Sequence, residues 1–209
     1  MIVKEKGELQ NLVDKTDQTV ATVIPSPVIL FPQGRLRLTL YQPEYLTLLA
    51  DCLKNDQPFI LSFQSDAHTI KLGISVSLVN FDLDSNQYLT IDVQGEYLVS
   101  LSKIEKNENG LMYAEAQALP HWTTINSDNR GNGHLDNSLP ILVKSLQKLF
   151  EKKIEVSALY SQKQFQSIEW VCARLLELTP MPFQAKRHFL ADDSFDAAIE
   201  CLTIIFNEN

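Results

Sequence analysis

The sequence predicts an α+β protein: a β-barrel of about six mainly antiparallel strands with one inserted helix, followed by a C-terminal helical bundle. Three observations lead there. Apolar side chains recur with period two from Thr19 to about Leu119, a polar stretch full of turn formers follows, and beyond it the apolar period becomes that of a helix.

In the first region Leu36, Leu38 and Leu40 alternate with Arg35, Arg37 and Thr39, which predicts a half-buried strand. Pro43 follows at once. Its fixed φ suits a first helical turn and it has no amide proton to leave unpaired, so a helix is expected from Gln42 or Pro43 to about Asn55. Tyr45, Leu46, Leu48, Leu49 and Leu53 give that helix its apolar face. Ile70, Leu72, Ile74, Val76 and Leu78 form the clearest antiparallel strand, and Leu89, Ile91 and Val93 repeat the pattern after a turn at Asp82–Asn86. Asn107-Glu108-Asn109-Gly110 is a turn joining a strand over Tyr97–Ile104 to one over Leu111–Ala118. Short strands at this spacing favour a closed or nearly closed barrel, which leaves no long exposed edge.

Residues 124–138, "TINSDNRGNGHLDNS", carry no apolar period and read as a flexible linker. Helices are expected after it: Leu139–Lys152, then one capped by Ser161 with Phe165, Ile168, Cys172 and Leu175 on one face, ended by Pro180 and Pro182. A short helix through Lys186 to Leu190 and a last one from Asp193 or Ser194, with Phe195, Ala198, Ile199, Leu202 and Phe206 inward, complete the plan. The expected organisation is an N-terminal segment 1–18, a barrel subdomain 19–123, a linker 124–138 and a helical subdomain 139–209.

A chain of 209 residues buries enough surface to need no covalent staples. Cys52, Cys172 and Cys201 are odd in number and far apart, so neither a disulfide framework nor a zinc knuckle is expected, and a reducing compartment fits. The polar N-terminus has no signal-peptide core and no apolar run reaches the ~20 residues of a membrane span, so the expected location is cytoplasmic. A net charge of −8 repels phosphate backbones, which disfavours nucleic acid as a partner.

The chain offers little for catalysis. Asp82-x-Asp84-x-Asn86 opens like a calcium loop, but Gln87 and Val93 stand where glycine and a bidentate acid are needed. His68, His121, His134 and His188 have no ligand spacing, and Cys172 sits mid-stripe in a helix, as a buried inert thiol would. Gly131-Asn132-Gly133 lacks the lysine and serine of a phosphate loop, and no G-x-S-x-G elbow occurs. Neither a metal nor a cofactor is expected. What remains is aromatic: Phe31, Pro32, Tyr41, Tyr45, Phe63 and Trp122 either fill the barrel core or border a groove beside Arg35 and Arg37, where a polypeptide would find contact area.

"VILFPQGRLRLTLYQPEYLTLLADCL" resembles the opening of the Lon protease N-terminal domain, typically "VLFPGGRLPLRIFEPRYLDMV". "GISVSLVNFDLDSNQYLTIDVQGEYLVSLSKI" is similar to the family's glycine-led strand, loop and "ITVxGxxRFRI" pair, and the tail from Trp170 to Leu202 is similar to the helical close of free-standing members. The likeness runs from about Thr19 to Phe206. It implies a PUA-like β-barrel with a helical bundle, the part of Lon proteases associated with substrate recognition, here expected without the ATPase and Ser-Lys peptidase modules. Two departures stand out: Gln33 replaces the first glycine of FPGG, and Tyr41-Gln42-Pro43-Glu44-Tyr45 replaces FEPRY, removing both charges of a potential ion pair.

The expectation is therefore a non-enzymatic protein that binds a polypeptide segment or protein partner, its oligomeric state unspecified. Phe31, Pro32, Gly34, Arg35, Tyr41, Pro43 and Tyr45 are the candidate contact residues, with Gly34 and Pro43 shaping the corner. The alternative is a small-molecule or nucleotide-binding PUA-like module, which needs a concave pocket with converging polar groups.

Overall fold

The computed structural model describes residues 19–55, 58–65, 68–84, 88–108, 110–124 and 135–207. The segment 1–18, the Gly131-Asn132-Gly133 stretch and most of the expected linker lie outside them, as do Ser85 and Asn86 of the Asp82–Asn86 turn and Gln87 after it.

Among the described residues six strands form one mixed sheet: β1 (Thr19–Ser26), β2 (Arg35–Leu40), β3 (Phe59–Ser65), β4 (His68–Leu83), β5 (Leu89–Lys106) and β6 (Met112–Leu119). Hydrogen bonds run β5–β4–β3–β1–β6 and back to β5, so five strands close a ring. Among the described residues only β1 and β3 pair in parallel; β2 lies outside the ring, antiparallel to the first half of β5. The helix α1 (Pro43–Asn55) begins at the proline, as expected.

Two clusters of apolar residues divide the interior. Val23, Ile60, Val99, Leu101, Ala114 and Ala116 form one cluster, flanked by Ala21, Tyr97, Ile104 and Met112, all of them on strands of the ring, so the strands cover one another and the cluster fills its inside. The opposite faces of the strands, through Ile24, Leu61, Ile74 and Leu98, join a larger cluster that continues into the helices.

Among the described residues five helices follow: α2 (Leu135–Lys152), α3 (Ile154–Ala158), α4 (Ile168–Leu178), α5 (Phe183–His188) and α6 (Phe195–Asn207). Helices α2, α4 and α6 pack on one another. Helix α4 is the central one, buried from Ile168 through Leu176.

Several boundaries differ from the sequence expectation, each for a physical reason. Helix α2 starts at Leu135, four residues into the expected linker, because its polar first turn has no apolar period to reveal it. Helix α4 starts after Ser167, whose Oγ accepts the Trp170 N–H at 3.1 Å; Ser161 caps nothing. Phe165 precedes the cap and meets Trp170 edge to face with ring centroids 5.9 Å apart, so it packs on the helix without belonging to it. Helix α5 spans Phe183–His188, and the Leu89–Val93 and Tyr97–Ile104 runs are one continuous strand rather than two.

Candidate functional site

The stretch Phe31-Pro32-Gln33-Gly34 is a tight turn that feeds β2. Gly34 N–H donates to the Phe31 carbonyl at 2.9 Å, Gln33 N–H to the Gly95 carbonyl at 2.7 Å, and Gly95 N–H to the Gly34 carbonyl at 2.9 Å. Gln33 takes a left-handed backbone, φ 63°, at the position where the resembled family has glycine. Gly34 is required by space: a Cβ there would meet the Glu177 carboxylate, and would lie 2.8 Å from the Phe31 carbonyl oxygen.

A buried ion pair on α4 holds this turn. Arg174 is fully buried, and its Nε lies 2.7 Å from Glu177 Oε2, one helical turn on. Arg174 Nη2 donates to Glu177 Oε1 at 2.9 Å and to the Pro32 carbonyl at 3.1 Å, while Glu177 Oε1 accepts the Phe31 N–H at 2.8 Å. Nε makes its contact without hydrogen-bond alignment, and Nη1 has no hydrogen-bond partner. The guanidinium instead rests on the rings of Trp170 and Tyr160, 5.6 and 5.9 Å from their centroids. Burial raises the Glu177 carboxyl, while Arg174 and the Phe31 N–H pull it back down.

Tyr160 completes the clamp. Its hydroxyl accepts the Arg35 N–H at 2.9 Å, and burial pushes the phenol up to about 12. The Arg35 side chain donates to the Leu159 carbonyl at 2.7 Å and to Gln94 Oε1. Thus Phe31, Pro32 and Gly34 are buried, with the Phe31 ring against His121 and Trp122, and Arg35 is half-buried and engaged. In this conformation these four fasten sheet to bundle. Pro43 opens α1, and the half-buried Tyr45 packs on the main core, its phenol raised by burial.

Tyr41 is the candidate that faces solvent, 69% exposed. It lies edge-on to Tyr88 at 5.0 Å between centroids, at the end of the sheet where β2, β5 and β4 run side by side. There Leu40 pairs with Leu89 and Leu89 with Leu83; one row further in, Leu38 pairs with Ile91 and Ile91 with Phe81. The rows pass from buried Leu40 and Ile91 to Leu83 and Phe81, which are 55% and 57% exposed. On the other face Arg37 holds Asp92 in a bidentate pair, Nε–Oδ1 2.6 Å and Nη2–Oδ2 2.8 Å, which raises the guanidinium further.

Burial raises the Cys172 thiol, and the nearby Glu169 charge adds to this, which is the opposite of what a nucleophile needs. His121 is buried, with Nδ1 2.8 Å from Thr123 Oγ1 and Nε2 3.1 Å from the Phe189 carbonyl oxygen. Among the described residues no three His, Cys, Asp or Glu side chains are arranged to hold a metal ion, and no helix is long and apolar enough to cross a membrane.

Arg174, Glu177, Phe81 and Leu83 were not among the sequence candidates. The last two did leave a signal. Apolar residues occupy even positions from Ile70 to Leu78 and odd ones from Val79 to Leu83, and this change of phase marks the bulge at Val79.

The model of the ATP-dependent protease La (LON) substrate-binding domain matches residues 20–208. The chain belongs to this family. A Lon N-terminal domain protein from Xanthomonas campestris superposes with a TM-score of 0.65 at 19% identity, covering 88% of this chain and 96% of that one. The N-terminal domain of a Mycobacterium avium complex Lon protease gives 0.59 at 9% identity, covering 91% and 99%. At these identities the likeness is one of fold. No curated protein matches the sequence. The fold is therefore shared with those Lon N-terminal domains, and in this chain it consists of the ring, the inserted helix and the bundle described above.

Proposed function

We propose that this protein is a non-catalytic, Lon-type substrate-binding module that engages polypeptide segments or a protein partner in a reducing compartment, the cytoplasm. Membership of a substrate-binding family supports the role, and one observation supports the mode: apolar rows of the β2–β5–β4 end run out to exposed Tyr41, Tyr88, Leu83 and Phe81 with nothing in the described chain covering them. In this reading Tyr41 makes contact. Phe31, Pro32, Gly34, Arg35, Pro43 and Tyr45 fix the turn and corner that set its position.

A titration tests the reading. The chain is mixed with a fluorescently labelled, carboxymethylated protein that cannot fold, and anisotropy is followed. Saturable binding, weakened roughly 3–10-fold by Tyr41→Ala with the melting temperature unchanged, is the expected result. Absence of binding to unfolded chains, together with a thermal shift by a nucleotide or metabolite, would replace it with the small-molecule reading.

A further inference from the structure

Resting on that reading and deepening it, we propose that the outer edge of β4 from Ser77 to Leu83 accepts an extended polypeptide as an added strand. The segment it prefers alternates apolar with basic side chains.

The edge exists because β4 outruns β3. Their pairing ends at Phe59 with Val76, so beyond that point the backbone of β4 is hydrogen-bonded to β5 on one side and, among the described residues, to no strand on the other. Sheet edges are ordinarily blunted by lysine, by proline, by a bulge or by a covering element. From Gly73 to Ser102 the sequence has neither proline nor any Lys, Arg or His. The bulge at Val79 is present, but Asn80–Leu83 regain regular pairing beyond it.

The two faces of this edge define the ligand. On one, an incoming strand would extend the rows that end at Phe81 and Leu83, so every second residue meets an apolar neighbour. The other face carries Asn80 and Asp82, with Asp84 just beyond. The edge itself carries Asp82, exposed, whose Oδ1 accepts the neighbouring Leu83 N–H at 2.8 Å, and no basic side chain stands between Gly73 and Ser102. This negative charge favours lysine or arginine at the alternate positions. It also disfavours a second copy of this chain, whose own acidic edge would be set against this one. Main-chain hydrogen bonds then supply affinity for many sequences, and the apolar and acidic faces supply the preference.

The test uses the full chain and two labelled short peptides, one alternating valine with lysine and one alternating valine with glutamate, beside the unfolded protein used above. The valine–lysine peptide is expected to bind at least about tenfold more tightly than its acidic counterpart. Phe81→Ser with Leu83→Ser should weaken it by a further factor of about ten, and Asp82→Lys should erase most of the charge preference. Both variants alter exposed positions, and Asp82→Lys stands as the measure should the serine pair disturb folding. If the unfolded protein binds while neither variant changes its affinity, the edge is not the site although polypeptide binding stands. If nothing binds, both readings fall. A dimer in sedimentation that Phe81→Ser with Leu83→Ser dissolves would assign the edge to self-association and overturn the proposal.

Discussion

Gln33 shows how one residue departs from its family's pattern and keeps the fold. Its positive φ carries a steric cost of about 1–2 kcal/mol for a side chain, part of which glycine would return as unfolded-state entropy. Gln33→Gly is therefore expected to stabilise the protein by roughly 0.5–1 kcal/mol in urea denaturation, since Gly keeps the N–H that donates to Gly95. Arg174 stands at the other extreme. Removing it leaves the buried Glu177 carboxylate without its counter-charge, so Arg174→Met should cost about 3–5 kcal/mol. The pair was not legible in the sequence, where "WVCARLLEL" reads as an apolar helix with two charges on its flank. What makes Arg174 and Glu177 matter is the Phe31–Pro32 backbone more than a hundred positions away, and spacing within a helix says nothing of that. Cys172 was legible, because a thiol amid an apolar helical stripe has little room to be anything but packed; in thiol labelling it should react only on unfolding, after Cys52 and Cys201.

At the scale of elements the sequence spoke clearly where one face is buried and poorly where a boundary depends on capping or on a slip of register. The corner at Pro43 came out as expected because proline acts locally. The start of α4 did not, because Phe165 lies at helical spacing while the cap lies two residues later. That difference has a measurable consequence: Ser167→Ala should lose about 1 kcal/mol of stability with its bond to Trp170 N–H, while Ser161→Ala, at an exposed position without a capping bond, should change almost nothing. Strand β4 is the more instructive case. Its even-position pattern ends at Leu78, which suggests a strand end, yet the odd-position pattern from Val79 continues the same strand past a bulge. Recognising the slip would have extended the strand to Leu83 and exposed the edge at Phe81. Of the contact residues expected from sequence, Phe31, Pro32 and Gly34 are buried in this structure, because the turn that carries them is held against α4, a partner that no local pattern names.

For the whole molecule, the barrel-to-bundle plan was visible in the change of apolar period, whereas the way the two parts share a core was not. The larger hydrophobic cluster runs from Ile24 and Phe63 through Phe31 and Trp122 to Leu175 and Leu202, with the Arg174–Glu177 clamp inside the junction. Such continuity predicts one cooperative transition in which tryptophan fluorescence and far-ultraviolet circular dichroism coincide. Function on this view belongs to the end of the sheet that the junction leaves uncovered. Amide hydrogen exchange of the full chain, with and without a saturating unfolded polypeptide, tests this most directly: the account predicts slowed exchange across Ser77–Leu83 and near Tyr41 and Tyr88, with the α4 helix unchanged. Protection confined to the helices, with the β4 edge exchanging as before, would contradict it.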